Sequence, residues 1–196
     1  MKDSFVFLAE GFEEIEAITV IDLLRRAGIP VKTVSITTSL QVTGAHGVTM
    51  NADLIFDNVL FKDAEWLILP GGMPGATNLY EFLPLQDLLK VQAKSESGRI
   101  AAICASPAVV LGQLGLLEGE KATCYPGFEK MLKGTTHIDA PVVKSGKFVL
   151  GNGPANAMVW ALAIIGETLN SKDADKVANG LLLYPRNHEE IDYFFG

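Results

Sequence analysis

The sequence predicts an α/β fold, a mainly parallel sheet with helices on both faces. Two observations carry that expectation. Short, wholly apolar runs rich in β-branched residues alternate along the chain with longer helical segments, the pattern of successive βαβ units. Three of those apolar runs end in special turns, at Gly11–Glu16, Pro70–Gly72 and Cys104–Pro107. In a parallel sheet covered on both sides, function collects at such turns beyond the carboxyl ends of the strands.

The elements follow in order. Ser4–Leu8 is an apolar strand, turned by Ala9-Glu10-Gly11-Phe12. Glu13-Glu14-Ile15-Glu16 opens a helix that runs to about Ala27 and is ended by Gly28 and Pro30. Its acids at the start and Arg25-Arg26 at the end suit the helix dipole. Val31–Ile36 is the second strand, and the stretch 37–53, rich in β-formers and glycine, reads as a small hairpin. Ala64–Leu69 is a strand that stops at Pro70-Gly71-Gly72, and Pro84 starts a helix over Leu85–Lys94. Ile100–Ile103 is a buried strand running into Cys104, followed by a helix that fades at Gly112–Gly119. Ala122–Cys124 is a short strand, and Phe128–Leu132 a short helix. Pro141–Lys144 and Lys147–Leu150 pair about Ser145-Gly146. Gly151–Ala155 enters the apolar helix Ala157–Leu169, Asp173–Leu183 is a last helix, and Tyr193-Phe194-Phe195 lies near the end, suited to packing on the core or on a partner subunit.

Composition narrows the function. With 196 residues and 48% hydrophobic content, positions 1–196 fit one domain around a single core. A net charge of −7 argues against nucleic acid or an anionic membrane as partner. The apolar run near Met1 is too short for a secretory signal, and the longest one, Ala157–Ile165, is about half a bilayer span. Two cysteines do not make a disulfide framework, so a reducing cytoplasm is the expected location.

Cys104 stands at a sharp strand-to-helix bend, with the small residues Ala105 and Ser106 and then Pro107 behind it. A thiol placed there sits among unpaired N–H groups at the positive end of a helix dipole, and both favour the reactive thiolate. The same residues also suit an inert core cysteine. Gly71 and Gly72 let backbone approach closely, so their N–H groups and that of Ala105 could hold an oxyanion formed when Cys104 attacks a carbonyl. Glu13, Glu14 and Glu16 share one helical turn. Glu16 heads an apolar stripe through Val20, Leu23 and Ala27, and Glu13 another through Ala17, Val20 and Leu24, so periodicity does not choose the partly buried proton-transfer group between them. His46, His137 and His188 have no metal-ligand spacing and read as surface residues, and Cys124 reads as core. No metal and no cofactor motif is signalled.

Taken together and in order, Glu16, Pro70-Gly71-Gly72 and Ala102-Ile103-Cys104-Ala105-Ser106-Pro107 resemble the ThiJ/PfpI superfamily, and within it the small bacterial relatives of the parkinsonism-associated deglycase. The likeness extends over Ala9–Glu16, Arg25–Ile29, Leu69–Leu79, Ile100–Leu111 and Gly151–Leu169. The resemblance implies a flavodoxin-like three-layer sandwich with a nucleophile elbow, and usually a homodimer. It assigns the elbow cysteine to Cys104, the glutamate beside its sulfur to Glu16, and the oxyanion donors to Gly72 and Ala105, with Gly71 and Tyr125 as candidate substrate contacts. Ser106 is a mild variant of the family's usual glycine or alanine.

One departure matters. Protease-like and amidotransferase-like relatives carry a histidine where Thr123-Cys124-Tyr125-Pro126 offers a tyrosine. Without an imidazole to protonate a leaving amine, amide hydrolysis is poorly supported, whereas addition to a carbonyl survives. The expected function is therefore a cofactor-free, glyoxalase- or deglycase-type enzyme acting on small α-oxoaldehydes such as methylglyoxal, or on glycated protein. The alternatives are a redox-responsive stress-protection protein whose Cys104 oxidises to sulfinate, and a scaffold in which Cys104 is inert.

Overall fold

The computed structural model describes residues 1–57, 61 and 63–183. The expectation for Tyr193-Phe194-Phe195, and that for His188, lies outside them. The elements are β1 (Ser4–Leu8), α1 (Glu14–Arg26), β2 (Val31–Ser35), β3 (Gln41–Thr43), β4 (Thr49–Asn51), β5 (Leu54–Ile55), β6 (Trp66–Leu69), α2 (Gly75–Glu81), α3 (Leu83–Lys94) and β7 (Arg99–Ile103). A π-helical segment, Pro107–Gly112, follows, then β8 (Lys121–Ala122), β9 (Thr136–His137), β10 (Val142–Ser145), β11 (Phe148–Gly151), α4 (Ala157–Thr168) and α5 (Ser171–Gly180). Short 3₁₀ turns lie at Glu129–Met131 and Pro154–Asn156.

Seven strands form the central sheet in the order β10-β11-β7-β6-β1-β2-β5. Every pairing in it is parallel except β10 with β11. Side chains that alternate along each strand feed two separate cores. Val6, Leu8, Trp66, Ile68, Ala101, Ile103 and Val149 face α1, α4 and α5, meeting Val20, Leu24, Trp160 and Ile164. Phe5, Phe7, Leu67, Leu69, Ile100, Ala102 and Leu150 face the other way, onto Leu79, Leu85, Leu89 and Val110. Both faces are thus covered, which is why the strands read as unbroken apolar runs. This is the flavodoxin-like α/β sandwich. No helix among the described residues is long and apolar enough to cross a membrane.

The hairpin read over 37–53 is present, its strands β3 and β4 paired Gln41–Asn51, Val42–Met50 and Thr43–Thr49. Three features depart from the sequence reading. The two-residue strands β5 and β9 are too short to leave a pattern. Gly75–Glu81 forms the helix α2, although its opening Gly-Ala-Thr-Asn has poor helix propensity; burial of Ala76 and Leu79 outweighs it. The segment after Cys104 is wound as a π-helix, with Gln113 N–H reaching Ala108 O at 3.2 Å and Leu116 N–H reaching Leu111 O at 3.0 Å. Such wide turns collect at functional sites.

Strand order reverses between β1 and β6, and the turns after those two strands and after β7 open on the same edge of the sheet. The crevice at such a switch point is where open α/β sheets bind ligands. Trp160, fully buried with Nε1–H donating to Val149 O at 3.0 Å, packs beneath the end of β11 close to this edge. Trp160→Ala is expected to lower unfolding free energy by about 3 to 5 kcal/mol, read as a shift in the urea midpoint at unchanged slope.

Candidate active site

Three loops meet at the crevice, and glycines set how closely. After β6, Gly71 donates its N–H to Glu16 Oε2 at 2.7 Å and accepts the Glu13 N–H at 2.9 Å. A Cβ on Gly71 would stand 2.5 Å from Cys104 Cβ and 2.8 Å from Glu16 Oε2, so no larger residue fits between them. Gly72 has φ +90°, a left-handed conformation that favours glycine, and a Cβ there would meet the Glu13 nitrogen at 2.4 Å.

Cys104 lies directly after β7 with φ +64°, a strained conformation for a non-glycine residue. Its neighbours hold it there. The Cys104 N–H donates to Gly151 O at 3.0 Å, its carbonyl accepts the Tyr125 N–H at 2.8 Å, and the hydroxyl of fully buried Ser106 donates to Pro70 O at 2.5 Å. That last bond gives the serine at this position a function that propensity could not show: it ties the elbow to the glycine turn. Cys104 is 8% exposed, and the N–H groups of Gly72 and Ala105 are directed at its sulfur.

Glu16, fully buried on α1, reaches the same sulfur. Its Oε1 has no hydrogen-bond partner among the described residues. Burial raises the Glu16 carboxyl to about 7; the Gly71 N–H and the Cys104 thiol oppose the rise and the nearby Glu13 charge adds to it. Burial also pushes the Cys104 thiol up to about 12, helped by the charge and hydrogen bonding of Glu16 and resisted by the two N–H donors. Across neutral pH this pair therefore carries at most one negative charge. The two N–H donors favour the thiolate, as expected, while burial and the charge and hydrogen bonding of Glu16 act against it.

The three neighbouring glutamates have separate roles. Glu14 is buried, and its Oε1 accepts N–H groups of His46 at 2.7 Å and Val48 at 3.3 Å while its Oε2 meets His46 Nδ1 at 2.8 Å. Burial opposes ionisation of this carboxyl, but those hydrogen bonds outweigh it and hold the group below its ordinary range. The bond to Glu14 and the charges of Glu13 and Glu14 raise the His46 imidazole. His46 is exposed, as expected, but it clamps the β3–β4 hairpin to α1, a role no local spacing signals. Glu13 caps α1 through its backbone, with Oε2 at 3.6 Å from His46 Nδ1. Donor atoms of Glu13, Glu14 and His46 lie within 4.8 Å of one another, close enough to hold a metal ion; the clamp itself accounts for their proximity.

The structure thus brings Cys104, Glu16, Gly71, Gly72 and Ala105 together and sets Tyr125, 45% exposed, beside the elbow. Cys124 is buried in the core, its thiol pushed up to about 12 by burial and the Glu129 charge.

A flavodoxin-like sandwich with a cysteine on a strained elbow at the switch point, a carboxyl beside it, defines a class of protein. Comparison with known proteins gives its family: the chain belongs to the DJ-1/PfpI family, whose model matches residues 2–167. It is 36% identical over 191 residues to Protein DJ-1 homolog B of Arabidopsis thaliana, covering 96% of this chain but only 43% of that relative. The chain therefore spans less than half the length of that protein. It is 37% identical over 175 residues to a Caenorhabditis elegans protein named glutathione-independent glyoxalase DJR-1.2, covering 88% of this chain and 91% of the relative. Among solved structures, oxidized Toxoplasma gondii DJ-1 superposes with a TM-score of 0.88 at 38% identity, over 93% of this chain and 98% of that one.

Two outcomes follow from this geometry. Gly71→Ala forces Cys104 and Glu16 apart and should slow alkylation of Cys104 by iodoacetamide roughly tenfold or more, as misplacement of reacting groups does; an unchanged rate by peptide mass analysis would contradict the contact. Because the folded-state pKa of Glu16 is raised from 4.5 to about 7, the group favours folding below pH 4.5, and that contribution is lost as pH rises to about 7. Stability relative to Glu16→Gln should fall across this window, by on the order of 3 kcal/mol in full, in denaturant titrations at pH 4.5 and pH 8.

Proposed function

We propose that the protein is a glyoxalase-type enzyme that converts small α-oxoaldehydes such as methylglyoxal to 2-hydroxy acids through Cys104, without glutathione. The observation that carries the reading is the pairing of a strained, N–H-flanked cysteine with a buried carboxyl whose Oε1 lacks a partner. A group with a pKa near the working pH both takes and gives protons. Ionised Glu16 removes the thiol proton as the sulfur adds to the aldehyde carbon, forming the C–S bond of a hemithioacetal. The N–H groups of Gly72 and Ala105 stabilise the oxyanion as the carbonyl π pair moves onto oxygen, and Glu16 then returns the proton to it. A proton shift from the former aldehyde carbon to the adjacent ketone carbon, through an enediol, gives the thioester of a 2-hydroxy acid. Water cleaves that C–S bond, releasing the hydroxy acid and restoring the thiol. Substrate plus one water equals product, with no net oxidation. The name of the C. elegans relative supports this class of activity. The same addition chemistry could act on early adducts of these aldehydes with proteins.

A second reading has its own support. The two N–H donors and a protonated Glu16 would equally bind a sulfinate on Cys104, and a Toxoplasma relative has been solved in an oxidized form. Two equivalents of peroxide would convert the thiol to the sulfinic acid and release two waters. One experiment separates the readings: lactate from methylglyoxal with no glutathione added. Wild type should form it, Cys104→Ser should abolish it, and Glu16→Gln should lower kcat by about a hundredfold, the scale of a lost acid–base group. No lactate from wild type, with selective gain of two oxygens at Cys104 under mild peroxide, would replace the enzyme with the sensor.

A further inference from the structure

Ser106 takes no part in the chemistry above, and its hydroxyl is not used as a serine at its position usually is. It stands immediately before the π-helical segment, where a serine side chain ordinarily accepts an N–H of the helix that follows. Here it makes no such cap. The hydroxyl instead donates to Pro70 O at 2.5 Å, 36 residues away in the chain. A carbonyl has no proton to give, so the direction of this bond is fixed. Ser106, Pro70 and Gly71 are all buried. No backbone N–H among the described residues reaches Pro70 O, which leaves the serine as its donor.

Pro70 O and the Gly71 N–H belong to one peptide group. That peptide is trans, so the two point in opposite directions. The oxygen meets Ser106, and the N–H donates to Glu16 Oε2 at 2.7 Å. A bond accepted at a peptide oxygen polarises the group and makes its N–H a stronger donor, by roughly 10 to 30%. The chain from the Ser106 hydroxyl through the peptide to the Glu16 carboxyl therefore runs in one direction, each donor reinforcing the next. The following carbonyl, Gly71 O, accepts the Glu13 N–H at 2.9 Å and so fixes this turn against the helix that carries Glu16.

We propose that Ser106 is a positioning residue for the base: through the Pro70–Gly71 peptide its hydroxyl strengthens the N–H that holds Glu16 Oε2, and so sets how firmly Glu16 keeps a proton beside Cys104. The inference rests on the role given to Glu16 in the function proposed above. Burial raises the Glu16 carboxyl, and the Gly71 N–H is the strongest influence opposing that rise. The titratable groups acting on Glu16 are Cys104, from the elbow, and Glu13, from its own helix. On the hairpin side, His46 is bonded to Glu14. A weaker Gly71 donor therefore lets the carboxyl hold its proton to higher pH.

Ser106→Ala and Ser106→Gly both remove the hydroxyl, and carbon-13 resonances of the side-chain carboxyls follow the titration of Glu16 without requiring turnover. In each variant the Glu16 midpoint should rise by about half a pH unit, roughly a threefold gain in proton affinity. The Gly71 amide proton should move upfield as its hydrogen bond weakens. Ser106→Thr, which keeps the hydroxyl, should return both signals toward their wild-type values. A serine that only packs the elbow would change the urea midpoint and leave the Glu16 titration where it was. A Glu16 midpoint unmoved in the two variants without a hydroxyl, or one raised equally in Ser106→Thr, would overturn the proposal. A raised midpoint in a protein that forms no lactate would sink the enzymatic reading and leave the tuning by Ser106 standing. An unmoved midpoint in a protein that does form lactate would sink the tuning alone.

Discussion

Gly71 gives its N–H to Glu16 and accepts the N–H of Glu13, and the absence of a Cβ lets the Cys104 side chain lie against it. Through that one residue the turn after β6, the start of α1 and the elbow after β7 hold a common position. Each loop alone would be an ordinary turn. Locked together, they present a thiol, a carboxyl and two N–H groups at the same point without relying on any mobile side chain. The surrounding bonds serve the same end: Ser106 to Pro70, Cys104 to Gly151, Tyr125 to Cys104. Strain at the elbow persists because the cores on both faces of the sheet leave the strand nowhere to relax.

The electrostatic consequence is a shared charge. A carboxyl and a thiol are buried side by side, and burial plus mutual repulsion allow one negative charge between them near neutrality. A lone buried cysteine would stay protonated and inert. A lone buried glutamate would have no nucleophile to serve. Together they set a thiol beside a base whose affinity for the proton is close to ambient pH.

Much of this was legible in the sequence, and the exceptions have physical reasons. Strands such as Ser4–Leu8 and Ile100–Ile103 are apolar on consecutive residues because both sheet faces are covered, and that pattern is local. The turns at Pro70–Gly72 and Cys104–Pro107 announce themselves because glycine and proline have few other uses at strand ends. What did not show depends on contacts between distant segments. Stripe periodicity left Glu13 and Glu16 equivalent, and only the family resemblance preferred Glu16; in the fold the difference is that Glu16 lies under Gly71 whereas Glu13 turns toward His46. The Glu14–His46 clamp joins residues 32 apart, across a turn whose sequence reads only as a hairpin. The opposing influences on the thiol proton were not legible for a related reason. A helix dipole can be inferred from sequence, but the depth of burial and the carboxyl opposing it cannot.

The crowding of three carboxylates into one turn also has a structural logic. A helix N-terminus tolerates negative charge, so α1 can open with Glu13, Glu14 and Glu16 where a strand end could not. Glu14 is spent on holding the hairpin, its charge offset by His46 and two backbone N–H groups. Glu16 is spent on the thiol. Glu13 makes no side-chain hydrogen bond among the described residues, and its Oε2 lies 3.6 Å from His46 Nδ1.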